Sequence, residues 1–361
     1  MRKLLVLIII ASPFTGFSQK RNPANKAVFL EDISWTTARP LLGPDAVIVM
    51  PLGAASKEHG PHLPLSTDYI QASGLANKVA LQRKVIITPA VNYGFYPAFL
   101  KYPGSTSTNF KTATDMVVQV VRSLSGYGPK RFYIINVGVS TTPTLEAGAK
   151  ILAEEGILLF YSRYDRASFD NAEKVFRTKT YNGHADELET SNVISLRPDL
   201  VNMSKAVNDS SMKNKKGNMA PIEVEGGNLN TSGINGYAAL GTKEKGLKNM
   251  ASFAGELIKE IDSVTTCALP VAADRTIEYA AFEGSYTDAA GKKLIISQKN
   301  NMLYFIWNGN DNRGFFHLYK DAPDYYSSMS MNILFVKNTA GVVEKAWCQY
   351  RGESFWVVKE K

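Results

Sequence analysis

Cysteine is nearly missing from the chain, with only Cys267 and Cys348 among 361 residues. That scarcity excludes a disulfide-stapled scaffold and a zinc cluster built on thiolates, and it leaves either one bridge or two unpaired thiols. Histidine is almost as rare, at four. The formal charge of +8 is scattered, with no basic stripe carrying interleaved aromatics, which argues against a nucleic-acid partner. Internal repeats, coiled-coil heptads and low-complexity tracts are also absent. No apolar run reaches the roughly 20 residues that a membrane-spanning helix needs. The apolar run from Leu4 to Ala11 follows Arg2 and Lys3 and precedes small or polar residues up to Ser18. This pattern reads as a cleavable leader over residues 1–18, sending the mature chain to the periplasm or outside the cell with no stable membrane anchor.

What is present is ample apolar material. Hydrophobic residues make up 45% of the chain, and a mature length of about 340 residues exceeds the usual single domain, so two domains are expected. The segments "AVIVM" (46–50), "KVIIT" (84–88), "RFYIINV" (131–137) and "ILLFY" (157–161) read as buried strands. Between them lie helical stretches, one with Met116, Val117, Val120, Val121 and Leu124 at helix spacing and one over 144–156 that ends at a glycine. A last amphipathic helix carries Leu247, Met250, Phe253, Leu257 and Ile261 on one side and closes the domain near Ser263. Strand and helix in alternation imply α/β layering around a largely parallel sheet over residues 27–263. From 276 to 361 short alternating segments separated by Gly, Asn and Asp turns imply an antiparallel β-domain. Residues 207–220 read as an exposed loop, Trp35 as core, and His317 as a packing histidine.

Chemistry concentrates in two places. The loop "KEHGPHLPLSTD" (57–68) offers Glu58, His59, His62 and Asp68 on a backbone stiffened by Gly60, Pro61 and Pro64. A second cluster, "GHADELETS" (183–191), offers His184, Asp186, Glu187 and Glu189, so three of the four histidines lie in two compact acidic motifs. Oxygen and imidazole donors of this kind suit a divalent transition metal, zinc foremost, with manganese or iron as alternatives. Glu187 reads as a solvated helix residue. The strand-end loop with Asn136, Gly138, Ser140 and Thr141 reads either as a binder of substrate hydroxyls or as a simple turn. With His62, Asn136, Ser140 and Thr141 are the candidate substrate-binding residues.

These motifs resemble the creatininase (creatinine amidohydrolase) family. "MPLGAASKEHGPHLPLSTD" (50–68), "PGSTS" (103–107), "HADELETSNVISLRPDLV" (184–201) and "GINGYAALGTKEKG" (233–246) resemble four of its segments in order. The resemblance implies a three-layer α/β fold with metal at the carboxyl ends of the strands. It implies His59 and Asp68 as ligands, Asp68 as the bridge of a two-metal site, His184 as a proton carrier, and Glu189 as a ligand or the orienter of one. Glu58 is a further candidate ligand and catalytic group, although it adjoins His59 where the family leaves one residue between its glutamate and histidine. Gly138 and Ser140 stand where ligands are expected. The function implied is a metal-dependent hydrolase that opens a small cyclic substrate, a cyclic amide or an oxidised cyclic polyol or sugar derivative, through metal-activated water. A homo-oligomer is compatible with this reading. The alternative is a non-catalytic ligand-binding protein that kept the fold and lost the metal. Purified mature protein is expected to carry a divalent transition metal that Asp68→Ala loses, and equal, negligible metal in both by elemental analysis would refute this.

Overall fold

The computed structural model describes residues 21–163, 176–179, 183–211, 218–221, 227–229, 232–274, 276–299, 302–307, 316–322, 324–328, 331–350 and 352–360. The leader read at 1–18 and part of the loop read at 207–220 lie outside the described residues. Two compact units divide the chain, Met1–Ala272 and Ala273–Lys361. Among the described residues no helix is long and apolar enough to cross a membrane.

The first unit is built on five strands, β1 (Val28–Phe29), β2 (Val47–Gly53), β3 (Ile86–Ile87), β4 (Arg131–Val137) and β5 (Leu158–Tyr161). They pair in parallel in the order β1-β3-β2-β4-β5. Six helices are used below: α1 (Trp35–Ala38), α2 (Thr67–Ala80), α3 (Phe110–Ser125), α4 (Thr142–Ala153), α5 (Glu187–Leu196) and α6 (Lys243–Thr266). Because successive strand side chains point to opposite faces, Val47, Val49, Tyr133, Ile135 and Val137 share one core with Leu75 and Val79 of α2 and Phe253 and Leu257 of α6. Ile48, Met50, Leu52, Phe132 and Ile134 share another with Val117 and Val121 of α3 and Leu145 and Leu152 of α4. Both strand faces are therefore buried, which is why the strands read as continuous apolar runs rather than alternating ones. The three-layer α/β arrangement follows.

Two apolar residues depart from their expected places. Trp35 is 69% exposed, because it opens the four-residue surface helix α1, where the Arg39 guanidinium covers its ring at 4.9 Å. Leu247 is half-exposed because its neighbour Gly246 faces inward, so close to α5 that an added Cβ would lie 1.9 Å from the Ser191 carbonyl oxygen. Both cysteines are free, Cys267 exposed and Cys348 buried.

The second unit is a closed antiparallel barrel of eight strands, running from Gly284–Asp288 to Glu353–Lys359, whose first and last strands pair through Tyr286↔Lys359 and Thr287↔Val358. Its interior is packed by side chains, among them Tyr286, Leu294, Phe305, Ile333, Phe335 and Val357, with Phe282 and Tyr279 from the preceding segment in the same core. His317 pairs with Tyr304 in this barrel.

Two outcomes follow from this packing. Residues 273–361, with a core and closed hydrogen-bonding of their own, are expected to fold in isolation with a cooperative thermal transition; non-cooperative melting would refute this. Gly53 ends β2 against the start of α2, where an added Cβ would lie 2.4 Å from the Asp68 carbonyl oxygen. Gly53→Ala is therefore expected to destabilise the first unit by about 1–3 kcal/mol in urea unfolding.

Candidate active site

The chain leaves β2 toward α2 on one face of the sheet and leaves β4 toward α4 on the other. Open α/β sheets bind ligands where neighbouring strands send their connections to opposite sides in this way. The loop after β2 and the loop after β4 meet there, since an added Cβ at Gly138 would lie 3.9 Å from Asp68 Oδ2.

The loop after β2 is pinned from two directions. Lys57 N–H donates to the Leu65 carbonyl, which folds the loop onto itself. The "PGSTS" segment then docks against it, with Ser105 Oγ accepting from Glu58 N–H at 3.0 Å and the Ser56 hydroxyl donating to the Gly104 carbonyl at 2.6 Å. Asp68, placed in the first turn of α2, is fully buried and faces two nitrogens. Its Oδ1 is 2.8 Å from His59 Nε2, and its Oδ2 is 2.7 Å from the Lys57 ammonium. Burial opposes its ionisation, but the charges of Lys57 and His59 outweigh that cost and hold Asp68 well below the usual carboxylate range.

His59 Nδ1 lies 3.0 Å from the Lys57 carbonyl oxygen, which fixes the proton on that nitrogen. Nε2 faces the Asp68 carboxylate, as a donor when the ring carries a second proton and as a metal ligand when it does not. Two acceptors at that separation need a proton or a cation between them.

His184 arrives from the other cluster. Its backbone bridges to Asn235 of the "GING" segment in both directions. Its Nε2 is 3.0 Å from Glu58 Oε2 and from the Glu58 carbonyl, and its ring centre lies 4.8 Å from that of His59 and 4.9 Å from that of Phe99, tilted against both. Burial would lower the pKa of His184, but the Glu58 hydrogen bond and charge raise it overall; burial likewise opposes Glu58 ionisation, and His184 still brings it below its ordinary value. Ala185 follows in the left-handed region at φ 51°, rare for alanine, and this turns its N–H onto Glu189 Oε2 at 2.6 Å. Asp186 caps α5 through Leu188 and Glu189 N–H, with its pKa pushed up to about 6 by burial and by the Glu189 charge.

His59, His184 and Glu189 each bring one ligand atom within 4.8 Å of the others. Asp68 Oδ2 is buried, with the Lys57 ammonium 2.7 Å away. The donor set of His59, His184 and Glu189 has the right chemistry, and these residues fit a divalent cation.

Several expected residues take other places. Glu58 is absorbed by His184 and by Gly60 N–H, and Gly233 must lack a side chain to leave it room. His62 is buried against Thr190, Nε2 to Oγ1 at 2.8 Å, and so braces α5. The Thr141 hydroxyl donates to Asn136 Oδ1, and Asn136 Nδ2 donates to the Gly138 carbonyl, so these two residues build the turn, while Ser140 is half-buried beside them. Glu187 is buried and paired with Lys245 and with Thr178, because α6 brings a lysine to it. Lys57 was missed. Its signal was the spacing: one residue separates it from His59, the position where the resemblance expects an acid.

The profile of creatininase, creatinine amidohydrolase, matches residues 31–261. The chain belongs to the creatininase family. A creatinine amidohydrolase of Pseudomonas putida is 25% identical over 202 residues, covering 51% of this chain and 77% of that protein. A 3-dehydro-scyllo-inosose hydrolase of Thermotoga maritima is 24% identical over 266 residues, covering 65% and 83%. A mycofactocin precursor peptide peptidase of Mycolicibacterium smegmatis is 26% identical over 219 residues, covering 59% and 80%. Among solved structures, a creatinine amidohydrolase (creatininase) superposes with a TM-score of 0.55 at 20% identity over 65% of this chain and 97% of its own. A manganese form of creatininase gives 0.56 at 20% identity over 66% and 98%. The creatininase profile ends before the barrel unit begins.

His62 generates a pH dependence. Burial pushes its pKa down to about 4, while the unfolded chain titrates near 6.5. The unfolded state therefore binds the proton first, and stability present above about pH 6.5 falls as the pH drops toward about 4. Urea unfolding is expected to lose roughly 2–3 kcal/mol from this group between pH 7 and pH 4.5, and His62→Gln to lose correspondingly less.

Proposed function

We propose that the protein is a creatininase-type hydrolase that opens a small ring at a carbonyl carbon with the help of a divalent cation. His59, Glu189 and the Asp68 oxygen that faces His59 would hold the ion, with His184, whose Nε2 is taken by Glu58, standing beside it. A cation there supplies Lewis acidity at the substrate carbonyl and lowers the pKa of bound water to about 7. The observation that carries the reading is the buried Glu58–His184 pair beside His59. Glu58 accepts from Nε2–H of His184 and stabilises its protonated form, so the imidazole retains a proton toward neutral pH and passes it to the departing nitrogen or oxygen. Buried Tyr96 and Phe99 flank the Lys57 and His184 side and keep water out.

Family relatives named for creatinine and for a dehydro-inosose support a ring substrate, a cyclic amide or an oxidised cyclic polyol, and we favour the hydroxyl-rich class. Zinc is the favoured ion; relatives include manganese and zinc–zinc forms of creatininase. The basic and apolar start of the chain supports export. A non-catalytic binding role is favoured by one observation, the ammonium already seated on Asp68.

Assay of metal-loaded protein against cyclic amides, lactones and oxidised cyclic polyols tests the proposal. Turnover is expected on a hydroxylated ring, and Glu58→Gln is expected to lower kcat by about 10²–10⁴-fold with metal content unchanged. Creatinine turned over well above every hydroxylated ring would overturn the substrate assignment. Absence of both metal and turnover would move weight to the binding role.

A further inference from the structure

We propose that the Lys57 ammonium is the resident cation of Asp68 Oδ2 and keeps metal off that side of the carboxylate, confining any divalent ion to the His59 side. The two Asp68 oxygens face different partners, His59 Nε2 at 2.8 Å on Oδ1 and Lys57 Nζ at 2.7 Å on Oδ2. Lys57 is only 5% exposed, and its ammonium lies 4.7 Å from the centre of the Phe99 ring and 5.8 Å from that of Tyr96. A cation over aromatic faces and against a carboxylate is held by attraction from both.

The backbone gives it no easy exit. Lys57 N–H is bound to Leu65, and the neighbouring Ser56 carbonyl accepts from Thr106 N–H. A dication on the same oxygen would have to evict the ammonium, leaving a buried charge without its counter-charge. The end of β4 offers no compensating ligand, because Gly138 stands 3.9 Å from Oδ2 at its Cβ position and carries no side chain. Lysine here does with a fixed charge what a bound ion would otherwise do, and the metal capacity of the site is reduced by one ion.

The inference rests on the reading of this cluster as a cation site, and zinc titration separates the two. Metal-free folded protein is titrated with zinc, and bound equivalents are counted by calorimetry and elemental analysis. The native protein is expected to take one equivalent, Lys57→Arg the same, and Lys57→Glu one more. No zinc on the native protein would defeat the hydrolase reading, whereas a gain in Lys57→Glu would still support the exclusion. Lys57→Glu matching the native protein, with native circular dichroism and melting, would overturn it, as would two equivalents on the native chain. Should Lys57→Glu fail to fold, Lys57→Gln serves: gained zinc supports the exclusion and unchanged zinc overturns it.

Discussion

A carboxylate sealed from water has to be neutralised from within, and Asp68 is the group around which the strand-end region is organised. An unpaired buried charge of this kind costs several kcal/mol. The protein meets that demand with Lys57 on one oxygen and His59 on the other. Each partner is then secured in its turn: the Lys57 carbonyl receives His59 Nδ1, the Ser105 hydroxyl holds Glu58 N–H, and Glu58 holds His184. Three stretches distant in sequence become one hydrogen-bonded body because a single acid at the start of a helix must not stand alone.

The same demand accounts for the glycines of the region. Gly53 lets the sheet approach the first turn of α2, Gly233 yields space to the Glu58 carboxylate, and Gly246 brings α6 against α5. In each case the obstacle to a side chain is an atom of the site or of a helix that carries it. The late glycine and Lys-Gly segment thus contributes framework, with Lys245 anchoring Glu187 and the Leu240 carbonyl.

The layered fold was legible because both faces of β2 and β4 are covered, so every residue from Val47 to Leu52 and from Phe132 to Val137 had to be apolar or internally bonded. Family membership was legible from the four motifs. The role of each site residue was less so, because ligand-type side chains adjacent in sequence diverge in space. Glu58 and His59 point to different partners, and His62 turns away to Thr190. Lys57 escaped notice for a general reason: a lysine beside an acidic motif is ordinarily solvated, and only the long-range placement of Asp68 and Phe99 makes it a buried cation. Trp35 and Glu187 erred in opposite directions, since exposure depends on what the rest of the chain lays over a residue.

The barrel unit joins its eighth strand to its first, and this closure has a consequence for molecular sociability. An open sheet advertises unpaired amide and carbonyl groups along its rims, which any extended peptide can extend by adding a strand. A closed ring of strands has no such rim to advertise. Whatever this appended unit meets, recognition has to be written in side chains and loop tips, where point substitutions rewrite it without disturbing the ring beneath.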